Sequence, residues 1–262
     1  MTWTPDAPLA TPESLGETDS GARNLPPFLC SLLQPGPVLV LGSSEIAWMV
    51  ARNHEVVVVD WNRRRLAALE ERFREGGQPV RTVCRDPEHQ DLGVERRSVA
   101  NVICVDVLER FENDVAVLGQ LQPCLEPGGR LIVRVPTRSD EMTSGIRAYD
   151  PELLRETLEQ AALRTTSVRY WNFLGLPAAG RASATNPASG PSSGTGSRWR
   201  DGALDFWFRN VENRVGMPAG LSLISVATPY LERVRTRREV FGTGRKARTS
   251  REAYEPMGAS RS

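Results

Sequence analysis

The sequence predicts an α/β fold with a doubly wound, mostly parallel sheet. Three observations lead there. Short apolar runs without polar alternation (PVLVLG, EVVVVD, VANVICV, RLIVRVP) recur along the chain, as strands buried on both faces require. Amphipathic stretches with apolar residues three and four apart separate them, which is the spacing of crossover helices. Glycine, proline and acidic residues punctuate the ends of the apolar runs, and right-handed crossovers then place helices on both faces.

Taken in order, PVLVLG is the first strand and ends at Gly42; the segment from Ser44 to Asn53 reads as a helix with Ile46, Met49 and Val50 on one side. EVVVVD is the second strand, closed by Asp60. The next helix carries Leu66, Leu69 and Phe73 and stops at Gly76-Gly77, where glycine ends helices well. PVRTVC is the third strand and Val99–Val105 the fourth. A helix over Asp114–Leu125 shows Val117, Leu118, Leu121 and Leu125 on one stripe, Pro127-Gly128-Gly129 is a turn, and RLIVRVP is the fifth strand. Asp150-Pro151 marks a helix start, an N-cap acid followed by proline at the first position. TTSVRYWNFL is the sixth strand, ALDFWFRNVENRVG a helix and LSLISVATP the seventh strand.

With 262 residues, 40% hydrophobic and 25% charged, the chain has room for one sizeable domain with extensions. We expect a loose N-terminal leader over 1–25, a folded domain over 26–229 and an Arg-rich tail over 230–262. Within the domain, Pro177–Ser197 is almost entirely small, polar or helix- and strand-breaking; it lacks the apolar surface that offsets ordering entropy, and a flexible, dispensable insertion is expected. Leu231–Arg251 holds eight basic and two acidic residues. Apart from Phe241 and Tyr254 at the margins no aromatics are interleaved for base stacking, and the whole chain carries only +1, so nucleic acid is not the expected partner and a solvated tail is. No apolar run is long enough to span a bilayer. Cys30, Cys84, Cys104 and Cys124 lie far apart and the histidines are only His54 and His89. That spacing argues against a zinc site and points to a reduced, cytoplasmic protein for which no metal is expected.

In an open parallel sheet ligands bind beyond the carboxyl ends of the strands, so those ends are where chemistry is sought. Gly42-Ser43-Ser44-Glu45 follows the first strand; a glycine there permits close approach of backbone to ligand, and the first helical N–H groups are free donors. Asp60 follows the second strand, with a carboxylate matched to the two hydroxyls of a ribose. Asp86 follows the third and Asp106 the fourth. Three acids on one rim suggest a pocket for a nucleoside that carries positive charge. Read as a rim residue, Asp60 has little part in packing.

Over about Pro35–Pro229 the chain resembles the class I S-adenosylmethionine-dependent methyltransferases. The likeness is carried by VLVLGSSEIA with VVVVDWN, by DVLERFENDVAVLGQLQPCLEPGGRLIVRVP and by GMPAGLSLISVATP. It implies a Rossmann-like, seven-stranded sheet with an antiparallel last strand, S-adenosylmethionine as cofactor, and methyl transfer to a small-molecule, lipid-linked or sugar acceptor. It further implies that Gly42, Ser43 and Ser44 face the methionine part, Asp60 and Trp61 the ribose, Asp86 the adenine, and Asp106 and Val107 the region of the methyl group.

Departures from that family's pattern are equally specific. Val40 stands where an acid is usual, Ser44 and Ile46 stand where glycines are usual, and Arg110 stands for a histidine. Two further readings follow: a methyltransferase-like binding or scaffold protein with weakened catalysis, and a different nucleotide-dependent enzyme. A nicotinamide dinucleotide enzyme fits less well, since its glycine fingerprint is absent. Methyl transfer needs no fixed catalytic signature because the cofactor carries the difficult chemistry. Candidates close to the reacting group are Glu109, Arg110, Arg138, Arg147 and Tyr149. Trp171, Trp199, Phe206, Trp207 and Phe208 are divided between an apolar acceptor pocket and core packing, with core packing expected for Phe206 and at least one tryptophan.

Overall fold

The computed structural model describes residues 19–42, 45–137, 147–173, 204–212 and 214–230, all within the unit that ends at Tyr230. The insertion over 177–197, the tail beyond 230, and Arg138 and Trp199 lie outside the described residues.

Seven strands form one sheet: β1 (Val38–Leu41), β2 (Val56–Asp60), β3 (Arg81–Cys84), β4 (Val99–Val105), β5 (Leu125–Pro136), β6 (Leu163–Trp171) and β7 (Ser222–Pro229). Their order is β3-β2-β1-β4-β5-β7-β6. The pairs among the first five are parallel, and β7 runs antiparallel between β5 and β6. The Rossmann-like sheet with an antiparallel last strand is therefore present. The chain reverses direction through the sheet between β1 and β4, which sets the carboxyl ends of β1, β2 and β4 side by side. Leu41 stands opposite both Val59 and Cys104.

Among the described residues the sheet is flanked by α1 (Asp19–Ser31), α2 (Glu45–Val50), α3 (Arg63–Glu75), α4 (Asp114–Leu121) and α5 (Pro151–Gln160). α3 starts because the Asn62 carboxamide accepts the N–H groups of Arg64 and Arg65; α5 starts because Asp150 does the same for Glu152 and Leu153. Each satisfies two of the donors that a helix start leaves open. Leu66, Leu69 and Phe73 of α3 are buried with Val38, Val40, Val56 and Val58 on one face of the sheet. The other face packs Leu39, Leu41, Val102 and Cys104 against Val117, Leu118 and Leu121 of α4.

Two elements differ from expectation. Asp19–Leu25, assigned from sequence to the leader, belong to α1 in spite of Pro26 and Pro27 inside that helix. Proline costs a helix a hydrogen bond, and here tertiary packing outweighs it: Leu25, Phe28 and Leu29 are buried, and Phe28 stacks on Trp171 at 5.0 Å. β5 begins at Leu125, ahead of the expected turn. Leu125 pairs with Val99 and Arg130 with Asn101, so the Pro-Gly-Gly segment is an irregularity within the ladder. Gly128 there has φ +83°, a backbone that a side chain disfavours.

Candidate functional site

Gly42 leaves β1 with φ +86°, and its N–H donates to the Val59 carbonyl at 2.7 Å. A Cβ at this position would stand 2.9 Å from Val107 Cγ2. Glycine is therefore required by backbone and space alike, and the loop after β1 is locked against the loop after β4. Val107 is buried beneath that contact. Ser43 and Ser44 lie outside the described residues. Glu45, next to them, pairs with Arg72 of α3 at 2.9 Å.

Asp60 ends β2 and is fully buried. Its Oδ1 accepts the Asn62 N–H at 2.7 Å and Arg65 Nη2 at 2.9 Å, while Oδ2 accepts Arg65 Nε at 3.2 Å. This forked ion pair is the stronger kind of charged hydrogen bond. The expectation that Asp60 has no packing role is thus replaced: the carboxylate anchors the first turn of α3. The Arg65 guanidinium also lies 4.9 Å over the Trp61 ring, and Trp61 meets Phe111 edge-on at 5.0 Å.

Asp86 lies two residues beyond β3. Its oxygens accept the Glu88 N–H at 2.9 Å and contact His89 Nδ1 at 3.0 Å. The His89 side chain is 68% exposed and turned to solvent, as an exposed loop histidine would be. His54, after α2, contacts the Gly36 carbonyl at 2.9 Å.

Asp106, just past β4, takes φ +53°, which Asp tolerates better than most residues. Its N–H donates to the Arg134 carbonyl at 3.1 Å, and its Oδ2 pairs with the Arg134 guanidinium. Arg134, in β5, is buried and donates through Nε to Ser222 Oγ of β7 at 3.2 Å. Glu109 follows in a single 3-10 turn, Leu108–Arg110. It is 3% exposed, and neither of its oxygens, nor Asp106 Oδ1, has a hydrogen-bond partner. Burial pushes both carboxyls up, Asp106 to about 7 and Glu109 well above its usual range, with the Asp106 charge adding to the rise at Glu109. The Arg110 charge opposes the rise at both.

Arg147 and Tyr149 act elsewhere. Both reach Asp114 Oδ2, Arg147 Nη1 at 2.5 Å and the Tyr149 hydroxyl at 2.8 Å, and Arg147 Nη2 donates to the Glu112 carbonyl at 2.8 Å. They tie the chain that follows β5 to the start of α4. The aromatic group also divides differently from expectation: Phe206 is 65% exposed, whereas Phe208 and Trp171 are buried, 5.5 Å apart. The helical turn passes into a π-turn over Phe208–Glu212, and that wider turn rotates the face presented to the sheet.

The structure brings Gly42, Asp60, Asp106 and Val107 together at the central carboxyl ends, with Trp61 and Asp86 after the outer strands. Sequence reasoning missed Arg65 and Arg134 as partners of the two acids. Arg134 was legible in principle, since an arginine inside an otherwise apolar strand must find a counter-charge.

Residues 40–133 match the family model for a methyltransferase domain. Among solved structures the chain is similar to the CcbJ methyltransferase from Streptomyces caelestis, at 15% identity and a TM-score of 0.57, covering 82% of this chain and 98% of that one. It is similar to a geranyl diphosphate methyltransferase (16%, TM-score 0.56, 79% and 78%). It is equally similar to the [4+2]-cyclase SpnF (16%, TM-score 0.55, 79% and 81%). At these identities the structural likeness shows the fold alone. No curated protein matches the chain. Residues 40–133 thus match a methyltransferase domain, and the sheet around them is the Rossmann-like fold shared with these structures.

Proposed function

We propose that this protein transfers a methyl group from S-adenosylmethionine to a small-molecule, lipid-linked or sugar acceptor. The observation that carries the reading is the placing of Asp60, Asp86 and Asp106 after successive strands of a sheet in the order β3-β2-β1-β4-β5-β7-β6, within and beside the segment that matches the family. In this reading Gly42, Ser43 and Ser44 receive the methionine part, Asp60 and Trp61 the ribose, Asp86 the adenine, and Asp106 with Val107 flank the transferred methyl. Gly42 fits, because its positive φ and its packing against Val107 hold the turn after β1 in one place beside the turn after β4. The buried, unpartnered oxygens of Asp106 and Glu109 fit a ligand that brings positive charge. Asp60 fits once Arg65 gives way, since the guanidinium now takes the place of the diol. When bound, the cofactor supplies an electrophilic methyl on a sulfonium; the protein supplies alignment and a dry site.

A second reading, a binding or scaffold protein of the same fold with weakened catalysis, is favoured by that same Arg65–Asp60 pair. The cyclase of similar fold belongs beside it, as a case in which the printed activity is not methyl transfer.

Calorimetric titration with S-adenosylmethionine and S-adenosylhomocysteine, with NAD as control, separates the two. The enzyme reading expects both adenosyl ligands to bind and NAD not to. Asp60→Ala then weakens binding by about 1.5–3 kcal/mol per charged hydrogen bond lost, and Asp60→Asn by less. A wild type that binds neither ligand rejects the enzyme reading; equal binding by wild type and Asp60→Ala removes the ribose from Asp60.

A further inference from the structure

α3 opens on three consecutive arginines, Arg63, Arg64 and Arg65, with no acid in its first turn. That is the reverse of what the helix dipole favours, which is negative charge at the start and positive charge at the end. The helix offers Arg63 and Arg64 no relief. The residues three and four positions on are Leu66, Ala67 and Ala68, so neither arginine finds an acid at the spacing where helix side chains pair. A fourth arginine, Arg85, follows β3, and its N–H donates to the Asp60 carbonyl at 3.2 Å, which sets it beside the same turn. Arg63, Arg64 and Arg85 are exposed, and among the described residues no ion pair engages any of them. The acids close by are already met: Asp60 by Arg65, Asp86 by His89, and Glu88 by the Asn113 N–H at 2.6 Å. Two backbone donors of the turn are spent on the Asn62 carboxamide, so an anion arriving here meets guanidinium groups rather than the helix end.

We propose that Arg63, Arg64 and Arg85 receive a phosphate group, and that the ligand is an adenine nucleotide phosphorylated on the 2′ or 3′ oxygen of its ribose. The inference goes beyond methyl transfer, since neither S-adenosylmethionine nor S-adenosylhomocysteine carries a phosphate; it rests on that reading only for the place of the ribose at Asp60. Position supports it. In a doubly wound sheet the ribose of a bound nucleotide lies at the end of the second strand, and an arginine close by accommodates a phosphate on its 2′ oxygen. Chemistry supports it as well, because the planar guanidinium fork matches two phosphate oxygens at once. The state of Asp60 supports it a third way. A bare ribose diol finds that carboxylate already held by Arg65, at 2.9 and 3.2 Å, and must displace the arginine to reach it. A phosphate needs no displacement: Arg65 stays on Asp60 and screens its charge from the anion, while the exposed arginines on either side of the turn supply the counter-charge.

The test is calorimetric titration of the full-length protein with adenosine, with its 2′-, 3′- and 5′-monophosphates and with S-adenosylhomocysteine. The 2′- or the 3′-monophosphate is expected to bind about ten- to a hundredfold tighter than adenosine, as one charged hydrogen bond or more provides. The 5′-monophosphate, whose phosphate sits at the other end of the ribose, is expected to show no such gain. The variant carrying Arg63→Gln, Arg64→Gln and Arg85→Gln together, all at exposed positions, should lose the gain and bind S-adenosylhomocysteine as the wild type does. Equal binding of adenosine and of its 2′- and 3′-monophosphates overturns the proposal, as does an equal gain from the 5′-monophosphate or a gain that the triple variant keeps; the wild-type comparison stands whatever the variant's fold. The two levels separate in the same experiment. If S-adenosylhomocysteine fails to bind while the 2′- or 3′-monophosphate binds as expected, the methyltransferase reading falls and the phosphate site remains. If S-adenosylhomocysteine binds and the phosphates bring no gain, the phosphate site falls and the methyltransferase reading remains.

Discussion

At the carboxyl ends of β2 and β4 two acids are each met by an arginine of the chain itself, Asp60 by Arg65 and Asp106 by Arg134. At the corresponding end of β6 the chain relies on aromatic mass. Trp171 is held between Phe28 and Phe208, and Glu212 accepts the Phe173 N–H at 3.0 Å and Trp207 Nε1 at 3.3 Å. The first region holds its charges against neighbours close in sequence or on the adjoining strand. The second closes the sheet and depends on residues from both extremes of the folded unit. A polar rim is thus assembled locally, while the apolar seal behind it is assembled over long range.

The comparison is broken most directly by Trp171→Ala. Removing the largest buried ring of the seal is expected to cost about 3–5 kcal/mol, read as a lowered midpoint in urea; a loss below about 1 kcal/mol would show that α1 and the π-turn do not depend on it. Next in size is Asp60→Ala, which leaves the mostly buried Arg65 without its carboxylate and is expected to cost about 2–4 kcal/mol. A neutral result there would return Asp60 to a ligand-only role. Arg65→Met sharpens the contrast: stability is expected to fall by about 1–2 kcal/mol, while the affinity for S-adenosylmethionine rises several-fold because the guanidinium no longer competes with the ribose.

The smallest effect is on pH. Burial pushes the Asp106 carboxyl up from its ordinary range to about 7, and raises that of Glu109 in the same direction. A raised carboxyl contributes stability that is fully present below the unfolded value and is lost as pH rises through the folded one. Melting temperature is therefore expected to decline between about pH 5 and 8, by roughly 2–4 °C per kcal/mol, and Glu109→Gln should flatten the decline. A wild-type melting temperature that rises over this range would refute the burial of an uncharged Glu109.

The same contrast governs what could be read from the sequence. β1, β2 and β4 are apolar on both faces and bounded by Gly42, Asp60 and Asp106, so period and punctuation identify them and their rim without further help. The caps at Asn62 and Asp150 are equally local. α1 was missed because Pro26 and Pro27 argue against a helix and only the ring of Trp171, far along the chain, argues for it. Phe206, expected in the core, is exposed and Phe208 is buried instead, at the start of a π-turn that a regular helical period does not foresee. Arg65 at Asp60 was missed because the functional expectation for that acid left no room for a structural partner.

The docking of α1 sets an order of events during synthesis. The side-chain amide of Asn24 donates to Asp205, 181 residues away, and its carbonyl accepts from Arg209, 185 residues away. At about 5–20 residues per second on the ribosome, Asn24 waits roughly ten to forty seconds before either partner is made. Through that interval Leu25, Phe28 and Leu29 have no finished surface to cover, although the parallel strands behind them can already pair. Translation thus leaves the first helix of the protein to be placed last, as a clasp over a sheet completed by its own distant end.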